Sequence, residues 1–350
     1  MFIASLTIHA YKLPLRRPWV AAHGVLYERR GFLLAIKTND GSCGWGDCAP
    51  LPSSTAAHHV NIQHALNRLI RILPGLSHEA ALQQCADISL PELRWALETA
   101  LFDLAALKSG QRLADYLGAS ENDGSVAVNA ALGALDGQTA TQAAQALANG
   151  YRIAKIKLGR HPVDTELFWL RQVHAATEGR LRLRLDANRA WNMQDARYFL
   201  QAIAGLSIDA VEEPLIQPDL FSLRELQEDL PYALALDESV ANFDRHELLA
   251  QPPVRRLVLK PARIGGILAT RELTLQAQVA GFEVVLTSVV DTAVGVSAAA
   301  HLAAALSSEL AHGFATLGWL AADVAQAPVI QQGRLYLGNS PGLGLEVFYE

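Results

Sequence analysis

The chain is poor in cysteine. It has three, Cys43, Cys48 and Cys85, in 350 residues, an odd number that suits a reducing cytosol better than a disulfide scaffold. Cys43 and Cys48 stand in "GSCGWGDC" with no second pair to complete a zinc site. A basic surplus is also missing: the formal net charge is -6 and the pI about 6.0, which argues against nucleic acid or an anionic membrane as partner. The opening "MFIASLTIHAYKL" has neither the basic start nor the small-residue cleavage site of a signal peptide. The long apolar run from Val289 to Leu306 is broken by Asp291, Ser297 and His301 and reads as a buried helix rather than a membrane span. No Gly-rich phosphate loop follows any strand-like run, so a dinucleotide site has no support. A soluble, cytoplasmic protein is expected.

What is present is apolar residue in quantity, 51% of the chain, enough for a large core. The pattern changes near Gly124. Residues 1–124 read as two strand-like runs, the second broken by the hairpin signal Asn39-Asp40-Gly41, and then as helices over about Ser54 to Leu73, Ser77 to Ala86 and Pro91 to Ser109, an α+β unit. "GWGDCAPLPSST" reads as a rigid loop; "AAHGVLYERR" places His23 and Gly24 in a polar loop suited to a lid, where Arg29 and Arg30 could meet a substrate carboxylate or simply face solvent. His58 and His59 begin a surface helix. Over 125–319 the runs "SVAVNAAL", "RIAKIKL", "LRLRLDA", "IDAVEEP", "YALALDE", "RRLVLKP", "FEVVLTS" and a weaker "ELAHGFA" recur at roughly 25-residue intervals, what one strand plus a crossover helix needs. Eight such units close into a (β/α)8, TIM-type barrel; an open doubly wound sheet is the alternative. The tail, 320–350, reads as irregular chain with a short strand or hairpin that returns to the first domain.

The strands are apolar until their last residues and then end in charge, at the rim where such barrels build their sites. Alternation puts Lys155 and Lys157 on one face of "KIK". It likewise groups Arg184 with Asp186 and Asn188, separates Glu212 from Glu213, and turns Asp237 and Lys260 inward. Three carboxylates, Asp186, Glu212 and Asp237, on neighbouring strands suit a hard cation such as Mg2+, with Mn2+ as a substitute. Lysines face each other across them. A lysine beside a second lysine loses basicity and can act as a general base, which points to proton abstraction α to a carboxylate. The alternative is a set of buried ion pairs that brace the barrel without chemistry.

"KIK", "LRLDANRAW", "EEPL", "LDES" and "LKPARIGG" together resemble the enolase superfamily, muconate-lactonizing subgroup, and within it most closely the o-succinylbenzoate synthases. The resemblance implies a modified barrel, (β/α)7β, under an N-terminal α+β capping domain whose loops near His23 and Trp45 to Ser54 close over substrate. It implies Mg2+ on Asp186, Glu212 and Asp237, Lys157 as base, Lys260 stabilising an enediolate, and Lys155 lowering the pKa of Lys157 and meeting the substrate carboxylate. Asn188, Arg184 and Glu238 would support these, and Thr287 and Ser288 would meet the succinyl tail. The implied activity is a lyase reaction in menaquinone or phylloquinone biosynthesis. N-succinylamino acid racemases and dipeptide epimerases of the subgroup use the same lysines and metal. The latter usually carry Asp-x-Asp after the last barrel strand, where this chain reads "AHGFATLGWL". A non-catalytic barrel that binds a carboxylate is the further alternative.

Overall fold

The computed structural model describes residues 1–21, 24–51, 54–119, 124–306 and 308–349. The N-terminal part is a three-stranded antiparallel sheet, β1 (Ile3–Ala21), β2 (Gly24–Thr38) and β3 (Cys43–Cys48), in that order. Arg29 and Arg30 therefore lie within β2, and the first five residues of "GWGDCAPLPSST", Gly44 to Cys48, are strand, where loops were expected. The difference has a packing cause. Helices α1 (Ala56–Ile72), α2 (His78–Ala86), α3 (Pro91–Ser109) and α4 (Leu113–Tyr116) follow, and α3 lies directly on β3. A Cβ on Gly44 would fall 2.1 Å from the Ala100 carbonyl, and one on Gly46 1.9 Å from that of Ala96. The glycines let helix and strand backbones touch. Thr55 and Ser77 cap α1 and α2, and α3 runs from Pro91 to a left-handed Gly110. Ile3, Leu34, Ile36, Leu66, Leu97 and Leu101 fill the space between.

The second part alternates strand and helix. In order these are β4 (Ser125–Ala127), β5 (Ala130–Ala134), α5 (Thr139–Ala148), β6 (Ile153–Lys157), α6 (Val163–Ala176), β7 (Arg182–Asp186), α7 (Met193–Ala202) and β8 (Ile208–Glu212). They continue with α8 (Leu220–Glu228), β9 (Ala233–Leu236), α9 (Arg245–Ala250), β10 (Arg256–Leu259), α10 (Pro261–Ile264), α11 (Ile267–Val279), β11 (Glu283–Leu286) and α12 (Ala293–Ala305). Strands β5 to β11 form one parallel sheet in chain order. His312 bridges Val128, and Gly313 bridges Thr287, both in parallel sense, so two residues stand in for an eighth strand and close the ring. The fold is the modified barrel with an N-terminal cap. Ala154, Ile156, Leu183, Leu185, Leu234, Leu236, Leu257 and Leu259 face the helices and are all but fully buried.

The first expected barrel strand divides. Ser125–Ala127 pairs with β13 (Arg334–Tyr336), itself paired with β12 (Ile330–Gln331), and only Ala130–Ala134 joins the barrel. The tail also meets the N-terminal part: the Ala321 N–H donates to the Pro14 carbonyl at 2.8 Å, and the Leu343 N–H to Asp103 at 2.7 Å. Among the described residues no helix is long and apolar enough to cross a membrane.

Candidate active site

Parallel pairing sets the site. Lys157 lies opposite Asp186 across β6 and β7, and Asp186 opposite Glu212 across β7 and β8. Ala235 of β9 pairs with Glu212, so Asp237, two residues on, shares its face at the rim. Lys155 bridges two carboxylates: its ammonium donates to Glu212 and lies 3.0 Å from Asp186. Lys260, which caps α10, donates to Asp237 at 2.6 Å and to Glu238 at 2.9 Å. Glu212 is 1% exposed and Asp186 6%, so these charges meet in a poorly solvated space.

The lysines separate electrostatically. Burial would lower the pKa of Lys155, but Asp186, Glu212 and Asp237 raise it above the ordinary lysine range. Lys260 is raised against burial by Asp237 and Glu238. Lys157 goes down: burial lowers it, and Lys155 and Lys260 lower it further against the pull of Asp186. Of the three amines it is the one pushed towards the base form. Burial raises Glu212, with Asp186 adding to the rise against Lys155, and burial pushes Asp237 up to about 6. Glu238, despite its burial, is drawn down to about 2 by Lys260.

Among the described residues no three carboxylate, thiol or imidazole groups converge into a finished cation cage. Lys155 and Lys260 supply the positive charge between Asp186, Glu212 and Asp237. The residue types still fit a hard cation: three carboxylates, from adjacent strand ends, with oxygen donors only.

Two left-handed turns shape the rim. Asn188 (φ 49°) and Arg189 (φ 59°) turn the chain after β7, and the Asn188 N–H donates to Asp186 at 3.2 Å. Glu213 (φ 48°) points away from Glu212 and accepts from the Asp237 N–H at 2.8 Å, the Ser239 N–H at 2.9 Å and the Ser239 hydroxyl at 2.6 Å. It fixes the start of the turn that presents Asp237 and Glu238.

Arg184 is not brought to the rim. A register break in β8 leaves Asp209 as the extra residue, and its carboxylate turns to Arg184 (2.9 Å from Nε) and to Arg256 on β10. Arg184 also donates to Asn129 and to the Ala311 carbonyl, which braces the barrel below the site. The Thr287 hydroxyl donates to the Gly313 carbonyl at 3.1 Å and Ser288 shares a hydrogen bond with Thr316, so both are tied to the closing segment. His23 lies outside the described residues. Arg30 and His59, with Val25, Tyr27, Pro50 and Leu51, line a cavity of about 410 Å³ on the N-terminal part. His58, in the first turn of α1, is bonded to Glu92. Sequence pattern gave no role to Asp47, which accepts from the Tyr11 hydroxyl at 2.7 Å and from the Thr292 N–H at 3.0 Å across the domain boundary. A strand-end carboxylate directly after two close-packed glycines is the signal that marks it.

Strand-end lysines and carboxylates on a capped parallel barrel define a class, and direct comparison agrees. Residues 138–350 match the family model of the enolase C-terminal domain-like fold, and residues 3–118 that of the mandelate racemase / muconate lactonizing enzyme N-terminal domain. The chain belongs to the enolase superfamily and is an enzyme of that superfamily. It is 26% identical to an L-Ala-D/L-Glu epimerase of Bacillus subtilis, over 99% of this chain and 97% of the relative. It is 29% identical to an o-succinylbenzoate synthase of Yersinia pseudotuberculosis, over 93% of each. The structure of a dipeptide epimerase from Methylococcus capsulatus, complexed with Mg and the dipeptide L-Arg-D-Lys, superposes with a TM-score of 0.88 at 27% identity, covering 99% of this chain and all of that one.

Proposed function

We propose that the protein removes the proton α to a carboxylate of a small molecule, and that its reaction is the dehydration of 2-succinyl-6-hydroxy-2,4-cyclohexadiene-1-carboxylate to 2-succinylbenzoate. The observation that carries the first part is the division of labour among the lysines. Lys155 and Lys260 are committed to carboxylates, and burial with two neighbouring cations makes Lys157 a weaker hold on its proton. Neutral Lys157 takes the α-proton and, as the ammonium, returns it to the departing hydroxide, so that water leaves and the ring becomes aromatic. Lys260 lies across the barrel, where its charge stabilises the enediolate. Asp186, Glu212 and Asp237 would hold Mg2+, which when bound supplies positive charge to the substrate carboxylate. Lys155 then screens the same carboxylates and holds down the basicity of Lys157.

The absence of acids between His312 and Leu320 supports dehydration over dipeptide epimerisation. The next acid, Asp323, is occupied: it accepts from the Ala293 N–H at 3.0 Å and the Val324 N–H at 2.7 Å. A second reading, racemisation of an N-succinylated amino acid, is favoured by the opposed lysines, Lys157 at the end of β6 and Lys260 just after β10, and by the similarity to epimerases and an N-succinyl-L-Arg/Lys racemase. Incubation with Mg2+ in D2O separates the two. New aromatic absorbance from the cyclohexadiene supports the synthase, and deuterium at Cα of N-succinyl amino acids supports the racemase. The absence of both signals would overturn both readings and leave another proton abstraction of the superfamily, dipeptide epimerisation first.

A further inference from the structure

The loop between β11 and α12, Ser288 to Thr292, leaves the barrel at the rim and carries Val290 at φ 60°, with 2% of its surface exposed. A β-branched residue is strained there and persists only where its surroundings impose the conformation. The surroundings here belong to the capping domain. Arg29 on β2, itself 2% exposed, donates from Nε to the Val290 carbonyl at 3.0 Å. Its Nη2 donates to the Ala49 carbonyl at 2.7 Å and lies 3.7 Å from Asp291, and its Nη1 donates to the carbonyls of Pro50 and Arg30. On the other side of Val290, the Asp47 carboxylate takes the N–H and hydroxyl of Thr292 at 3.0 and 2.8 Å.

We infer that Arg29 is a positioning residue: it clamps the rim loop 288–292 and the cap loop 49–51 to one guanidinium, so that the two move as a unit. The planar fork is essential to this, because one guanidinium reaches three chain segments at once, and an ammonium is a single point. Without it, Val290 relaxes towards negative φ, its carbonyl turns, and Thr287 and Ser288 lose a fixed frame at the end of β11.

Native-state hydrogen exchange of the whole chain tests the coupling without any variant. Amides of Val289, Thr292, Ala49 and Leu51 should share one opening free energy, distinct from that of Leu257 and Leu259 in β10. If Val289 and Thr292 exchange with β10 instead, the clamp is not the joint. Arg29→Met should speed exchange at 288–292 and 49–51 by about tenfold or more and leave β10 unchanged, with methylguanidinium restoring protection. A folded Arg29→Met protein with unchanged exchange in both loops overturns the inference. Only the turnover readout rests on the proposed function: kcat/KM falls with Arg29→Met and recovers with methylguanidinium, whereas a chain inactive on every substrate leaves the exchange result standing alone.

Discussion

At the scale of single residues, the chemistry reduces to which amine can be neutral. Lys157→Ala should remove α-proton exchange and turnover by about 10²–10⁴-fold while leaving the circular dichroism spectrum intact. Turnover near the parental rate would transfer the role of base elsewhere. Chelation of divalent ions should abolish turnover, with Mg2+ restoring it, because Asp186, Glu212 and Asp237 hold more negative charge than Lys155 and Lys260 can serve once substrate carboxylate arrives. Activity that survives exhaustive chelation would exclude the cation from the reaction. The placement of these residues was legible from alternation alone: regular strands put Lys155, Lys157, Asp186 and Glu212 on the inward face, and pairing aligns them. Arg184 shows where alternation stops informing. It shares the face of Asp186, but Asp209, turned inward by a one-residue break that no local pattern announces, holds it below the rim.

At the scale of elements, helix ends were readable and strand limits less so. Capping residues are local signals, so Ser77 and Pro91 mark their helices directly. Strand identity in "SVAVNAAL" depends on distant partners, β13 for its first half and β6 for its second, and a single run cannot reveal a change of partner. The closing strand was faint because, among the described residues, His312 and Gly313 alone make it. "GWGDC" was illegible for the same reason: its glycines answer to α3. Gly46→Ala would push a methyl into the Ala96 carbonyl, and separating β3 from α3 should destabilise the protein by about 1–3 kcal/mol or more. Urea unfolding measures it. An unchanged midpoint would mean that strand and helix are not held at this spacing. Gly41, at φ 86° with nothing within 4 Å of an added Cβ, is the control: Gly41→Ala should cost only backbone strain, about 1 kcal/mol.

At the scale of the molecule, two buried histidines sit at the joints. His301 on α12 accepts from the Ala114 N–H at 3.1 Å through Nδ1 and donates to the Leu343 carbonyl at 3.2 Å through Nε2, which ties barrel, cap and tail together. His312 accepts from the Leu286 N–H at 3.0 Å through Nδ1 and closes the barrel. In both rings Nδ1 must stay unprotonated, since a second hydrogen would face an N–H donor. Burial lowers the pKa of His301 to about 4 and, with Arg184 adding to it, that of His312 to about 3. The unfolded chain therefore binds protons first. Stability from these rings is complete above about pH 6.5 and is lost as pH falls towards the folded values, on the order of 1 kcal/mol per pH unit for each ring. Buried carboxyls outside the site act in the opposite sense, as Asp237 and Glu212 do within it. Burial raises Asp103 to about 7 and Asp323 to about 6, so their contribution is present in acid and declines as pH rises through those values. The parent's own pH curve thus mixes both signs over pH 4–7, and only a difference isolates the histidines. Glutamine can accept and donate in their place but does not titrate. Urea unfolding at pH 7.5 and 5.0 should therefore show the parent losing more stability on acidification than the His301→Gln, His312→Gln double variant. Equal losses would mean that the joints tolerate charged imidazole and that acid acts on the molecule elsewhere.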